Sequence, residues 1–168
     1  VLFVDEKFNI SNLKKYISSS EYSYIFDVLK TKNTKKKIAT FDINSKKKII
    51  LLALNTKLTN SDAENLGAKF YDLFKDIKPY NYNLNTDTLT NKQKNFVGYF
   101  LHGLKLKSYK FDKYKSKKNT SNISINLTGK YRPSLKDQIK FKAIENGTFY
   151  ARDLVSEPGN ILHPDEYA

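Results

Sequence analysis

The sequence predicts an α/β protein, a three-layer sandwich in which helices flank both faces of a mixed sheet. Apolar segments of strand length alternate with amphipathic segments of helix length along the chain. Residues 49–54, Ile-Ile-Leu-Leu-Ala-Leu, are apolar throughout, as is typical of a central strand covered on both faces. With 168 residues, the chain has the length of one domain with a buried core.

The first third of the chain is predicted to open with a short strand at 1–4. A helix follows from residue 21 to about 31, because apolar residues recur there at helical spacing behind three capping serines. The segment between this strand and this helix shows no clear period. Residues 35–43 and 46–54 then form two strands joined by a turn at Asn44 and Ser45.

Two long amphipathic helices are predicted in the middle of the chain, separated by a strand at 80–84 and a turn at 85–88. The first starts at a capping box, 61–64, and ends at Pro79, and the second opens at 90–93. Glycines inside the second helix indicate close packing against a neighbour. The apolar stripes are Leu66, Phe70, Leu73, Phe74 and Ile77 in the first helix, and Phe96, Val97, Phe100, Leu101 and Leu104 in the second, whose glycines are Gly98 and Gly103.

The last third contains a lysine-rich segment at 110–121, a strand at 123–127 and a final helix from Pro133 to about Glu157. The lysine-rich segment is typical of a surface loop, although basic residues interleaved with aromatics also suit single-stranded nucleic acid. The length of the final helix fits a connector between domains. The apolar stripe predicted to hold it is Leu135, Ile139, Ala143, Tyr150, Ala151 and Leu154.

The end of the sequence carries a helix stop followed by a helix start. Pro158 and Gly159 end the final helix, and residues 163–166, His-Pro-Asp-Glu, are typical of a new helix N-terminus. Because no helix follows that start signal, we expect the chain to be the front part of a longer polypeptide. The absence of Met, even at position 1, favours trimming at the front as well.

The formal net charge of +13 has two interpretations. Lysines that neutralise phosphates would favour nucleic-acid binding. Alternatively, the charge reflects the codon usage of an AT-rich genome, because Arg132 and Arg152 are the only arginines among 30 basic residues and phosphate sites usually include arginine. The absence of cysteine fits a reducing compartment, and neither a signal peptide nor a membrane-spanning run is predicted.

Two segments carry a resemblance to a known family. Residues 151–168 read A-R-D-L-V-S-E-P-G-N-I-L-H-P-D-E-Y-A, and residues 103–115 read G-L-K-L-K-S-Y-K-F-D-K-Y-K. They are similar to the patterns A-R-x-L-x-N-x-P-x-N-x-L-x-P and G-x-x-L-x-x-Y-x-F-x-x-Y-K of the leucyl, or cytosol, aminopeptidases. The matching positions of the first pattern are Arg152, Leu154, Pro158, Asn160, Leu162 and Pro164; Ser156 departs from it, as do Lys105 and Lys107 from the second.

The resemblance implies a macro-like N-terminal domain at 1–131, a connecting helix at 132–157, and the start of a linker at 158–168 to a C-terminal catalytic domain outside this sequence. It implies a cytoplasmic, homo-hexameric parent that releases N-terminal amino acids from peptides with two divalent metal ions, commonly zinc, manganese or magnesium. The family's metal-binding residues lie in the C-terminal domain. We therefore expect no catalytic, cofactor-binding or metal-binding residue here, and a role in assembly or in limiting substrate access.

The candidate site residues agree with this expectation. His102 has no second ligand at helical spacing, His163 precedes a proline, and Asp72 and Asp76 share a helix face with lysines, which favours surface ion pairs. The scattered glycines form no G-x-G loop for ADP-ribose phosphates, and no nucleophile motif is present. One alternative remains open, a basic DNA-binding or architectural module, if the lysines of 35–37, 46–48 and 110–118 share one face.

Overall fold

Strands and helices alternate along the chain in the computed structural model, which describes residues 1–31, 37–77, 81–89, 95–116, 123–159 and 161. The strands are β1 Leu2–Asp5, β2 Ile38–Asn44, β3 Lys47–Leu54, β4 Asn81–Asn85 and β5 Ser124–Thr128. The helices are α1 Ser19–Thr31, α2 Asn60–Phe74, α3 Phe96–Lys107 and α4 Leu135–Ser156, with short 3-10 turns at Ser11–Lys15 and Thr86–Thr88. The predicted order of elements is confirmed over these residues.

Strand β3 is the centre of a mixed sheet. It pairs in parallel with β1, with Leu2 opposite Leu51, and antiparallel with β2, with Phe41 opposite Ile49. Strands β4 and β5 form a second, parallel pair. The two sheets adjoin at the chain start, because the Val1 nitrogen donates to the Asn83 carbonyl at 2.7 Å. The Asn85 amide in turn donates to the Val1 carbonyl at 3.0 Å.

Helices cover both faces of the sheet formed by β1, β3 and β2, which confirms the predicted three layers. The side chains of β3 alternate between two cores: Leu52 and Leu54 pack towards α2 and α3, whereas Leu51 packs towards α1. All three are at most 2% exposed. Residues 49–54 of β3, which are apolar at every position, are buried on both faces, as their composition predicts.

Helices α2 and α3 approach each other closely through glycine. A Cβ on Gly103 would overlap the Glu64 carbonyl and lie 2.6 Å from the Glu64 Cα. Gly67 of α2 likewise lets the α3 backbone approach, since a Cβ there would lie 2.9 Å from the Leu104 nitrogen. Aromatic rings fill the space beside this contact, with Phe70 and Phe100 packed edge to face at 5.6 Å. The predicted close approach at Gly103 is confirmed.

The N-cap of α2 lies two residues before Ser61, the first residue of the predicted capping box. Thr59 is the N-cap: its hydroxyl accepts from the Asp62 amide, and the Asp62 carboxylate accepts from the Thr59 amide. Ser61 is therefore already inside the helix. The box at 61–64 was wrong because Ser-Asp-Ala-Glu and Thr-Asn-Ser-Asp both fit the motif, and the hydrogen bonds of the second are the ones that form.

The buried stripe of α2 also differs from the prediction. Leu73 is 54% exposed and Ile77, beyond the helix end, is 39% exposed, whereas Tyr71 is buried. The helix packs against α3 as well as the sheet, and this second contact turns the buried face towards Gly67 and Tyr71. The predicted helix stop at Pro79 and helix start at 90–93 lie outside the described residues, as does Tyr80 of the predicted strand.

Helix α4 lies outside the three layers, on the outer side of α3, and the stripe predicted to hold it faces away from the protein. Leu135 is 77% exposed, Ile139 71% and Tyr150 66%. The helix instead packs through Phe141 and Phe149, which contact the side chains of α3 and the residues after it. The prediction was wrong because α4 has two apolar faces, and periodicity cannot show which of them meets α3.

Candidate functional site at the anchor of the last helix

The two sequence motifs meet in space, and together they hold α4 onto the rest of the domain. The end of α3 and the loop after it belong to the motif at 103–115, and the end of α4 belongs to the motif at 151–168. We call this contact region the anchor; it consists of His102, Leu106, Tyr109, Lys113 and Tyr114 on one side and Phe141, Glu145, Phe149, Arg152, Asp153 and Glu157 on α4 and its C-cap.

Arg152 ties α4 to the C-terminal end of α3. Its Nη1 donates to the Leu106 carbonyl at 2.7 Å, and its guanidinium lies 5.4 Å from the centre of the Tyr109 ring. The last carbonyls of a helix have no partner within that helix, and they carry the negative end of the helix dipole. Arg152 therefore satisfies an acceptor and places a positive charge where α3 favours one.

Tyr109 forms the next contact along the helix. Its hydroxyl donates to Asp153 Oδ1 at 2.8 Å, and its ring packs against Phe149 at 5.3 Å. Partial removal from water and the hydrogen bond to the Asp153 carboxylate raise the pKa of the Tyr109 hydroxyl. The hydroxyl is thus held as a neutral donor, which suits a structural contact.

Glu157, the C-cap of α4, receives two donors from the loop after α3. The Lys113 ammonium lies 2.6 Å from Glu157 Oε1, and the Tyr114 hydroxyl donates to Oε2. These two hydrogen bonds hold the pKa of the Glu157 carboxyl below its ordinary value. A carboxylate at a helix C-terminus opposes the helix dipole, and the Lys113 charge offsets that repulsion.

His102 lies within the anchor, at the contact between α3 and α4. It is 5% exposed, its Nδ1 is 2.9 Å from Glu145 Oε1, and its ring stacks on Phe141 at 4.8 Å. Beside it, Gly98 makes room for Phe141, because a Cβ there would lie 2.8 Å from that ring. The partner of His102 is 43 residues away. The spacing of residues within α3 therefore could not predict Glu145 as the partner of His102.

The other candidate residues are separate from the anchor or not described. Asp72 pairs with Lys107 at 3.0 Å and with Lys75 at 3.5 Å, as expected for surface charges. His163 lies outside the described residues. Within the described parts of the chain, no group of three or more His, Cys, Asp or Glu side chains is placed to hold a metal ion. No described helix is both long and apolar enough to span a membrane.

A cavity of about 780 Å³ opens at the edge of the sheet, near the starts of β1, β3 and β4. Its lining includes Tyr16 and the three lysines at 46–48. Two of these lysines already have carboxylate partners, Lys47 with Glu21 at 2.6 Å and Lys48 with Asp42 at 3.0 Å. These pairs reduce the charge that the cavity offers to an anion.

Comparisons with known proteins agree with the resemblance of the two motifs. A probable cytosol aminopeptidase of Clostridium perfringens is 28% identical over 175 residues, which cover 98% of this chain and 33% of that protein. One from Nitrobacter winogradskyi is 35% identical over 72 residues, which cover 39% of this chain and 14% of that protein. The chain thus spans a third or less of the curated relatives it matches. No profile of a protein family matches it.

Solved structures show the same fold. A mutant of tomato leucine aminopeptidase superposes with a TM-score of 0.71 at 21% identity, covering 98% of this chain and 35% of that one. The bottromycin maturation enzyme BotP, in complex with Mn, gives 0.57 at 16% identity, covering 77% of this chain and 28% of that one. These likenesses show that the chain has the fold of the matched parts of these two proteins. Along 98% of its length the chain is similar to a probable cytosol aminopeptidase and to a leucine aminopeptidase structure.

Proposed function

We propose that the chain is the non-catalytic N-terminal domain of a metal-dependent leucyl aminopeptidase, a larger enzyme that releases N-terminal amino acids from peptides. One observation carries this proposal. The similarity to the Clostridium perfringens protein runs through 98% of this chain but only 33% of that relative. The part of the relative without a counterpart here is long enough to form a separate domain.

In this proposal residues 1–131 form the N-terminal domain, 132–157 the connecting helix, and 158–168 the start of the linker. The anchor supports this division. Helix α4 is 22 residues long, yet the bonds from Arg152, Asp153 and Glu157 concentrate at its C-terminal end. A connector held at the end from which the chain leaves would set the direction in which the next domain begins.

The reaction of the parent would take place in the C-terminal domain. Two divalent metal ions, zinc, manganese or magnesium, would there polarise the peptide carbonyl and activate water. The N-terminal domain would contribute to a homo-hexameric, cytoplasmic assembly and limit access of substrates. The structural neighbour in complex with Mn is consistent with a metal-dependent parent.

Peptidase assays on two proteins test the proposal. We expect the 168-residue chain to be inactive on a leucyl chromogenic substrate with added manganese, and the longer parent protein to hydrolyse it. Removing the metal from the parent with a chelator should abolish its turnover. Turnover by the purified chain alone, or a parent that is inactive with every divalent ion tried, would contradict the proposal.

No described contact favours the alternative of a DNA-binding module. Lys35, Lys36, Lys117 and Lys118 of the lysine blocks lie outside the described residues. Several of the described lysines are paired with carboxylates. These pairs are Lys47 with Glu21, Lys48 with Asp42, Lys113 with Glu157 and Lys115 with Asp112. DNA binding therefore stays a prediction.

A further inference from the structure

Helix α4 carries an apolar face that nothing in the described part of the chain covers. Leu135, Ile139, Ala143 and Tyr150 are spaced by four, four and seven residues, so they lie in one row along the helix, and all four are exposed. We call this row the outer stripe. It runs about 22 Å along the helix, at 1.5 Å per residue.

The outer stripe cannot turn inward without breaking the anchor. The opposite face of α4 is fixed by directional contacts, among them Glu145 with His102 and Arg152 with the Leu106 carbonyl. These bonds hold the helix in one rotational setting. A helix without a partner on its outer face is expected to be polar there, and an exposed apolar row, interrupted here at Asn146 and Gly147, marks an interaction surface.

Charge and chain length together indicate what covers the stripe. Lys136, Lys140 and Lys142 are exposed on both sides of it, and the whole chain carries a net charge of +13. A second copy of this domain would bring like charges together. The match covers only 33% of the Clostridium perfringens relative, by contrast, and α4 is the last helix among the described residues.

From these observations we infer that the outer stripe of α4 is the docking surface for the downstream domain of the same polypeptide, through an apolar groove with an acidic rim. The inference rests on the proposed function, and it adds the residues that make the contact. Tyr150, at the C-terminal end of the stripe, is expected to contribute most to the contact, since a tyrosine buries a large ring and keeps a hydroxyl for the polar rim.

Cysteine labelling tests the inference, because the chain contains no cysteine of its own. Ile139→Cys and Tyr150→Cys are made both in the 168-residue chain and in the longer parent. Tyr24→Cys is the matched control: Tyr24 is a 43% exposed tyrosine on α1, across the sheet from α4. Maleimide labelling is followed by peptide mass spectrometry, which separates these sites from any native cysteine of the parent.

We expect both stripe cysteines to label rapidly in the chain and at least about tenfold more slowly in the parent, while Tyr24→Cys labels equally in both. The slower labelling of the stripe cysteines in the parent should persist when the protein is diluted. Hydrogen exchange of residues 135–156 in the unmodified proteins gives a second measurement that does not depend on the variants.

Two results would overturn the inference. One is equal labelling of the stripe in chain and parent; the other is protection that already exists in the chain and rises with its concentration, which would assign the stripe to a second copy. A peptidase assay on the same parent preparation tests the proposed function separately from the docking of the stripe. A parent that protects the stripe but lacks aminopeptidase activity would contradict the proposed function alone.

Discussion

Single residues decide how closely the helices of this domain approach. Gly103 lets α3 rest on the α2 backbone at Glu64, and Gly67 does the same at Phe100 and Leu104. The sequence predicted close packing at Gly98 and Gly103, because glycine inside an amphipathic helix has few other reasons to occur. Gly67 lies inside the other predicted helix and carries the same signal, but the prediction did not include it.

Gly103→Ala should lower the free energy of unfolding by about 3 kcal/mol, because the added methyl group overlaps backbone and the two helices must separate. Urea denaturation monitored by circular dichroism measures the change. Gly147→Ala is the matched control, since a Cβ at Gly147 has nothing within 4 Å on the exposed side of α4. There we expect a gain of about 0.5–1 kcal/mol from helix propensity. Equal effects at the two sites would refute the tight packing.

At the scale of elements, the helix ends show where local sequence leaves a choice. Two overlapping capping boxes precede α2, and the structure uses Thr59 with Asp62. At the other end of the chain, α4 is held by contacts from residues 43 to 46 positions earlier. Only the first of these features is visible in a short window of sequence.

Thr59→Ala should reduce the free energy of unfolding by about 1 kcal/mol, because the Asp62 amide loses its acceptor. Ser61→Ala, at the cap that the sequence predicted, should change it by no more than a few tenths of a kcal/mol, the usual size of an exposed substitution. Chemical denaturation of both variants measures the difference. A larger loss at Ser61 than at Thr59 would show that the helix begins at the predicted box.

The attachment of the α4 end should depend on pH through Glu157. The folded-state pKa of Glu157 is lowered, so its contribution is fully present above the ordinary value of 4.5 and is lost as pH falls through the folded-state pKa. We expect amide exchange at 153–157, corrected for the intrinsic effect of pH, to rise in that acidic range.

Glu157→Gln removes the ion pair and should show fast exchange at 153–157 already at neutral pH, with a flatter pH profile. The exposed Glu6, in the turn after β1, supplies the control: Glu6→Gln should keep the pH profile of the unmodified chain. An unchanged profile in Glu157→Gln would mean that Lys113 and Tyr114 do not hold this end of the helix.

At the scale of the whole molecule, the high positive charge is the feature most open to a functional interpretation. Several described lysines have carboxylate partners, and lysine supplies almost all of the positive charge, with only two arginines in the chain. Non-specific attraction to DNA at low salt follows from net charge alone. A dedicated DNA site would add affinity beyond that attraction.

We therefore expect the chain to bind duplex DNA no more tightly than about micromolar at physiological salt, with the same affinity for unrelated sequences. Fluorescence anisotropy over a salt series, alongside an unrelated protein of similar net charge, measures this. Submicromolar binding that survives physiological salt and exceeds that control would favour the DNA-binding alternative.

The sequence by itself determined the order of elements, the doubly buried β3 and the resemblance to aminopeptidases, because each is recorded in local composition or in short motifs. Tertiary structure alone decided the rotational setting of α4, the partner of His102 and the exposure of the outer stripe. The physical reason is that periodicity records which residues gain from leaving water, but not which surface removes them from it. Helix α4 has two apolar faces, and hydrogen bonds between residues more than 40 positions apart in the sequence determine which face packs against α3.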